Sequence, residues 1–474
     1  MVRQAESCAA GPVEAPSRVE GRLGELLAWL WGDGRVLRLD VVGGFPTFVQ
    51  SMKPFWSDRI EYLRRFLARD GLWMMVSQGT VKVLGFVAVV LVTRTASETE
   101  YGWYAYAMGL VATAVPFMGF GAYQAFVRFS VLATHTTERL ELHRRATGWG
   151  LTGSVGLAII LTVGSPWICT DVPESASVMR LLAWVTVSTF WMEHVKGLAR
   201  ALRDNKTSAQ VDVTFAALMV LGAGVGVHIG GIQGYALAVV LSPFLASLPF
   251  GWKLGALRMS WGRLSEMAPG FWSYGVHTAL GAMLAKAFYA VDVFLIGRLW
   301  LEDAQALAVY RVAWLIPLAT HVLPTAVAAT DFVRNASKHD QGSDIWAYLV
   351  GYWKTFGWIS IMALGLVAWA SPWLLQVFGP GYAEGVDLMR VLLVGSLGAH
   401  VLRIPLGNLL SALGRANWNT WANVVVLLVT AAGCHWRIPD HGLMGAAQVM
   451  AAMLWGSGVL SLGLVALHVR RLTH

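Results

Sequence analysis

The sequence predicts an all-α polytopic membrane protein of about twelve transmembrane helices, arranged as two six-helix parallel repeats. Three observations carry this expectation. Apolar residues make up 56% of the chain and charged ones 14%, and the mean hydropathy is +0.55, a balance foreign to a water-soluble domain. The length of 474 residues gives room for about a dozen spans of ~20 residues joined by short loops. Residues 82–94 read KVLGFVAVVLVTR and residues 286–298 read KAFYAVDVFLIGR, so Lys82 and Arg94 recur as Lys286 and Arg298, each 204 residues on. Twenty-three tryptophans agree with a chain that crosses membrane interfaces.

Taken in order, residues 1–51 form a polar extension expected to be poorly ordered. Pro12, Pro16 and charges stand where the apolar core of a secretory signal would lie. Residues 52–70 set Phe55, Ile60, Leu63, Phe66 and Leu67 at helical spacing beside Arg59, Arg64, Arg65 and Arg69, the pattern of an amphipathic basic helix on a membrane surface. Met52 is an alternative start, because the segment before it has little to bury. An N-lobe, residues 71–258, is expected to hold spans near 72–94, 102–127, 148–168, 179–199, 208–228 and 232–252. A C-lobe, residues 259–474, is expected to hold spans near 271–297, 305–329, 346–377, 385–411, 417–436 and 442–469.

The connecting segments alternate in charge. One set carries Arg128, Arg139, Arg144 and Arg145, then Arg200, Arg203 and Lys206, then Lys253, Arg258 and Arg263, then Arg334 and Lys338, then Arg415, then Arg470 and Arg471. The other carries Glu98, Glu100, Asp171, Glu174, Glu302, Asp303, Glu384, Asp387 and Asp440. The positive-inside rule then places both termini in the cytoplasm. The net charge of +8 belongs to these cytoplasmic segments, and no nucleic acid is expected as a partner. Cys8, Cys169 and Cys434 are too scattered for a disulfide framework or a metal site. No phosphate-cradling loop, nucleophile elbow or HExxH motif is present, so the chain reads as a non-enzyme with no cofactor and no metal.

The echo extends through both halves. Tyr104, Ala105, Tyr106 and Ala107 are answered by Tyr310, Arg311, Val312 and Ala313 at an offset of 206. Met179, Arg180, Leu181 and Leu182 are answered by Met389, Arg390, Val391 and Leu392 at 210. Asp212 and Val213 are answered by Asn423 and Val424, and GIQG at 231–234 by GLMG at 442–445, both at 211. The growth of the offset is ascribed to single insertions in loops. Six spans per copy, an even number, make the copies parallel, related by an axis along the membrane normal.

These stretches, with YGWYAYA at 101–107, VDVFLIGRL at 291–299 and FGPGYAEGVDLMRVL at 378–392, resemble the polysaccharide biosynthesis flippases of the multidrug/oligosaccharidyl-lipid/polysaccharide (MOP) superfamily. The likeness runs from about residue 70 to 471. It implies a V-shaped pair of six-helix lobes around a central cavity. It also implies alternating access that moves an undecaprenyl-pyrophosphate-linked oligosaccharide across the bacterial inner membrane for O-antigen or exopolysaccharide synthesis. The chain lacks the two extra C-terminal spans of murein-precursor flippases, which weighs against a cell-wall cargo. Partners implied are the lipid-linked oligosaccharide, membrane lipids, H⁺ or Na⁺ as coupling ion, and the polysaccharide polymerase machinery.

A charge kept in mid-membrane costs at least ~2.5–3.5 kcal/mol and so faces a cavity or a partner. Lys82, Lys286 and Arg311 are the expected pyrophosphate-binding groups, with the two lysines facing each other across the cavity that the resemblance implies. Against this stand snorkelling and pairing with an acid. Asp292 is either a coupling group for a cation or the structural ion-pair partner of Arg311 or Lys286. Glu193, His194 and Lys196 read as an interfacial cluster. Trp103, Tyr104 and Tyr106 read as sugar-stacking rings or an aromatic belt. His277, His321 and His400 read as packing groups rather than a proton relay. A cation-coupled drug antiporter is the alternative function, with a membrane-embedded polysaccharide polymerase as the second.

Overall fold

The computed structural model describes residues 71–473 apart from 134, 263–266, 301–303, 326, 328–341 and 414. The extension at 1–51, the basic helix at 52–70 and the charges at Arg263, Glu302, Asp303, Arg334 and Lys338 lie outside the described residues. Every regular element among the described residues is helical, as the composition requires. The first is α1, Gly71–Thr95. Ser97 then opens α2, Glu98–Ala114, with a reciprocal cap. Glu100 N–H donates to Ser97 Oγ at 3.2 Å and Ser97 N–H to the Glu100 carboxylate at 3.0 Å.

The span expected at 102–127 is broken. A 3₁₀ segment, Val115–Gly121, begins with Pro116 near its N-terminus and holds Gly119, Phe120 and Gly121 at positive φ, before the chain resumes as α3, Ala122–Leu132. The third span is longer than expected. Helix α4, Thr136–Ile168, takes in Arg139, Arg144 and Arg145, which were expected in a loop. Arg139 donates to the carbonyls of Ala133 and Ala201 at 3.0 and 3.1 Å, and Arg145 pairs with Glu141 at 2.9 Å, so these arginines organise a helix end. The fourth place is shared by α5, Ser175–Leu182, and α6, Val185–Ala201.

Helix α7, Asn205–Lys253, doubles back at Gly231, where φ is 55° and ψ −144°. A Cβ on Gly222 would stand 2.6 Å from the Cβ of Ala238, so the two arms run antiparallel in backbone contact. In the second half α8, Phe271–Phe288, and α9, Val291–Leu299, replace the single expected span and meet at a 49° bend. Then come α10, Ala304–Thr320, α11, Gly342–Tyr352, and α12, Trp358–Gln376. Helices α13, Val386–Gly398, and α14, Ile404–Ala412, are joined by a π-helical turn, Ala399–Arg403. The last is α15, Ala416–Thr473, which doubles back at Gly442 with φ 53° and ψ −135°.

Two turns 211 residues apart thus adopt the same glycine-only backbone, and the close approaches across them correspond as well. Gly222 meets Ala238 as Gly433 meets Val449. The step from 204 at Arg94 and Arg298 to 206 at Tyr104 and Tyr310 falls across the connection between helices, whereas the last step falls inside a helix. The offset is 210 at Met179 and Met389, both fully buried. It is already 211 where Leu202 N–H bonds to the Leu198 carbonyl and Leu413 N–H to that of Leu409. The π-turn lies between these points, and one extra residue per turn is what a π-turn absorbs.

Seven helices among the described residues are long and apolar enough to cross a membrane, eight with the bent α8–α9 pair. Helices α7 and α15 each fold into two arms. Helices α1 and α5–α6 occupy the places of the first and fourth expected spans without meeting that criterion. Packing repeats between the halves, with α1 against α7 and α8–α9 against α15. The largest buried apolar cluster is continuous from Tyr106 and Val111 to Phe288, Ile296 and Trp314.

The backbone at Gly442 lies in a region open to glycine alone, and a Cβ there would meet the Trp300 ring at 2.6 Å. Gly442→Ala is therefore expected to cost about 1–3 kcal/mol of stability and to lower the melting temperature of the purified protein. Gly456→Ala, in open helical surroundings, is the control expected to leave the melting temperature unchanged or slightly raised.

Candidate functional site

The two sequence halves meet at both ends of the second span. At one end α2 lies against α10, and a Cβ on Gly102 would overlap the Ala304 carbonyl. Gln305 donates to the Glu98 carboxylate at 2.5 Å, and the Arg94 guanidinium donates to the carbonyls of Val377 and Gln376 at 2.8 Å each. At the other end the 3₁₀ segment and α3 lie against α8, where Gly121 and Gly275 touch backbone to backbone. Only glycine lets two backbones approach so closely, which gives these positions their sequence.

Lys286 stands eleven residues along α8 from Gly275, about 16 Å at 1.5 Å per residue, and Arg311 seven residues along α10 from Ala304, about 10 Å. Both therefore fall between the two junctions. Lys82 and Arg311 both lie within electrostatic reach of Lys286, which experiences their like charges. Lys82 and Lys286 are exposed, and no salt bridge to an acid is formed by either of them or by Arg311 among the described residues. Arg311 Nη1 is buried without a hydrogen-bond partner. Three gathered like charges repel one another, so the arrangement favours an anion.

Local structure explains the gathering. The last turn of α8 tightens, with Tyr289 N–H donating to the Lys286 carbonyl at 3.0 Å and Ala290 N–H to that of Ala287 at 3.1 Å, and the chain then bends into α9. The bend leaves Lys286 at the C-terminal end of α8, where a cation is favoured by the helix dipole. Asp292 sits fully buried in the first turn of α9. Its Oδ1 accepts from Val293 N–H at 2.8 Å and its Oδ2 from Tyr310 Oη at 2.7 Å. The expected ion pair with Arg311 or Lys286 is absent; the field of Arg311 reaches Asp292, but the bonds are to the backbone and a tyrosine. Asp292 thereby fastens α9 to α10 one residue before Arg311.

Tyr101, Tyr104 and Tyr235 complete the surroundings of Arg311, which acts electrostatically on the first two. Their rings lie 5.8 Å and 4.9 Å apart in sequence order. The sequence reading missed Tyr101 and Tyr235, though Tyr235 directly follows the GIQG turn. Tyr104 and Tyr106, read as sugar-stacking or belt residues, are buried in the core. The Glu193, His194 and Lys196 cluster is packed inside the protein: His194 is fully buried, and Lys196 Nζ lies 2.7 Å from both Glu193 and Asp212. His321 and His400 are hydrogen bonded to Ser396, Thr320 and Ser360 at 3.1–3.2 Å, and His277 to the Ser273 carbonyl at 2.6 Å.

Comparison with known proteins agrees with this architecture. Residues 67–326 match the family model described as "Polysaccharide biosynthesis protein". An inward-facing multidrug resistance MATE family transporter of the MOP superfamily superposes with a TM-score of 0.67 at 14% identity, over 83% of this chain and 95% of the other. The lipid II flippase MurJ in an inward closed conformation gives 0.66 at 13% identity, over 83% and 87%. A MOP superfamily transporter from Pyrococcus furiosus, whose binding pocket is described as reversed in polarity, gives 0.59 at 13%, over 86% and 96%. No curated protein matches the chain. The family match spans more than half of the sequence, and the chain therefore belongs to the polysaccharide biosynthesis protein family, with the multi-span fold of MOP superfamily transporters.

Proposed function

We propose that the chain is a flippase that carries an undecaprenyl-pyrophosphate-linked oligosaccharide across the bacterial inner membrane by alternating access, for surface or exopolysaccharide synthesis. The observation that carries this reading is the proximity of Lys82 and Arg311 to Lys286, with no salt bridge to an acid among the described residues, on the stretch between the two junctions. A pyrophosphate esterified at both ends offsets two of the three charges, and charge-assisted hydrogen bonds from lysine and arginine suit it. The prenyl tail stays in lipid while the sugars pass between an N-lobe, residues 71–258, and a C-lobe, residues 259–474. Both chain ends lie in the cytoplasm. The energy source is an H⁺ or Na⁺ gradient or the downstream use of the cargo by the polymerase machinery.

Drug antiport calls for acids in the cavity. Asp292, the acid nearest the cluster, is already held by Tyr310 and Val293. Deletion of the gene is expected to remove surface polysaccharide while lipid-linked saccharide accumulates on the cytoplasmic leaflet. Normal polymer in the deletion strain together with new drug sensitivity would replace the flippase by the antiporter.

A further inference from the structure

Between α14 and the two arms of α15 lies a cavity of about 360 Å³, within the size range of small-molecule sites. Its polar lining includes Arg403, Asn419, Asn423, Ser411, Ser457 and Ser461 and, among the described residues, no carboxylate. The Arg403 guanidinium lies 4.3 Å from the Phe288 ring centroid and donates to Asn423 Oδ1 at 3.3 Å.

The first copy shows this position in its self-neutralised form. Asn423 follows Asp212 by 211 residues, the offset found after the π-turn, and Arg403, the last residue of that turn, follows Glu193 by 210. In the first copy Glu193 and Asp212 grip Lys196 between them. In the second, Asn423 stands in place of Asp212, Arg403 is the residue aligned with Glu193, and the residue 211 after Lys196 is Gly407, which lines the cavity and carries no charge. The polarity is inverted, and among the described residues no acid forms a salt bridge with Arg403. A cation in a membrane protein interior without an acid calls for an anion from outside.

The remaining groups narrow the chemistry. Ser411, Ser457 and Ser461 each donate to a carbonyl of their own helix at 3.0–3.1 Å, which leaves them acceptor lone pairs. Asn423 uses its carbonyl on Arg403, which leaves its NH₂ as a donor. One side of the cavity thus offers charge and donors, and the other offers acceptors. Phosphate, when fully ionised, satisfies the first and opposes the second. A polyhydroxylated carboxylate satisfies both.

We propose that this cavity binds a sugar acid of the glucuronate class, with its carboxylate on Arg403 and the Asn423 amide and its hydroxyls donating to the serine oxygens. The site stands apart from the flippase reading, because binding is measured without transport. Calorimetry on the full chain in lipid nanodiscs is expected to show saturable binding of D-glucuronate, with D-glucose and inorganic phosphate at least about tenfold weaker. Asn423→Asp sets a carboxylate against Arg403, as Asp212 stands against Lys196. It is expected to retain the fold and weaken glucuronate binding by more than about tenfold. Arg403→Gln is expected to lose binding to the same extent, and serves if Asn423→Asp does not fold. Absence of saturable glucuronate binding, unchanged affinity in either folded variant, or phosphate binding as tightly as glucuronate would overturn the assignment.

Discussion

Exchanging Lys82 and Lys286 together for glutamate is expected to reduce surface polysaccharide by about 10²-fold or more while protein abundance is maintained. Each charge-assisted contact to a phosphate contributes about 1.5–3 kcal/mol, and each 1.4 kcal/mol is tenfold in affinity. Losing two contacts therefore accounts for about 10²–10⁴ before the repulsion between glutamate and pyrophosphate is added. Abundance is expected to hold because both lysines are exposed and Lys286 already experiences the like charges of Lys82 and Arg311. Reversal relieves that repulsion instead of breaking a native pair. The double methionine variant should fall between, and the double arginine variant should retain most export. Wild-type polymer from cells carrying only the double glutamate protein would remove the pyrophosphate site from the proposal.

Gly121→Val is expected to reduce export by a similar factor through a different physical cause. Gly121 has φ 79°, where a β-branched side chain is strained by about 1–2 kcal/mol, and a Cβ there would overlap the carbonyl of Gly275. The junction between the 3₁₀ segment and α8 then cannot close. Gly275→Val attacks the same contact from the other side, since its Cβ would stand 2.6 Å from the Gly121 carbonyl oxygen. Gly102→Val does the equivalent at the α2–α10 junction. Gly79→Ala, with open space around it, is the matched control. Export and protein abundance measured together separate the outcomes, and unchanged export in both Gly121→Val and Gly102→Val would show that neither junction needs to close.

Much of this arrangement was legible in the sequence, and the missed parts share a cause. The recurrence of Lys82 at Lys286 and of the GIQG turn at GLMG survives because function or backbone geometry ties a residue type to each place. Gly231 and Gly442 must be glycine to reach their dihedrals. The bend after Lys286 carries no such mark: its centre is Tyr289 and Ala290, whereas Pro166, Pro317 and Pro372 lie inside helices that continue. The π-turn was equally silent, since any apolar residue can be the extra one. Arg403 escaped notice because its partner Asn423 is twenty residues away on another helix. Charge alone also misplaced Arg139, Arg144 and Arg145 in a loop, because surface arginines on an extended helix satisfy the same orientation rule.

The double closure also bears on how the transmembrane voltage acts. The contacts of Gly121 with Gly275 and of Gly102 with Ala304 lie nineteen residues apart along the second span, about 28 Å at 1.5 Å per residue, close to the thickness of the hydrocarbon core. Opening one contact connects Lys82, Lys286 and Arg311 to the potential of that aqueous side, and opening the other connects them to the opposite one. A charge that crosses the whole potential changes energy by about 2.3 kcal/mol per 100 mV. On the proposed flippase reading, a pyrophosphate esterified at both ends would leave the three cations with a net charge of about +1, against about +3 for the empty cluster. On that reading the resting potential would act more strongly on the unladen return stroke than on the loaded one.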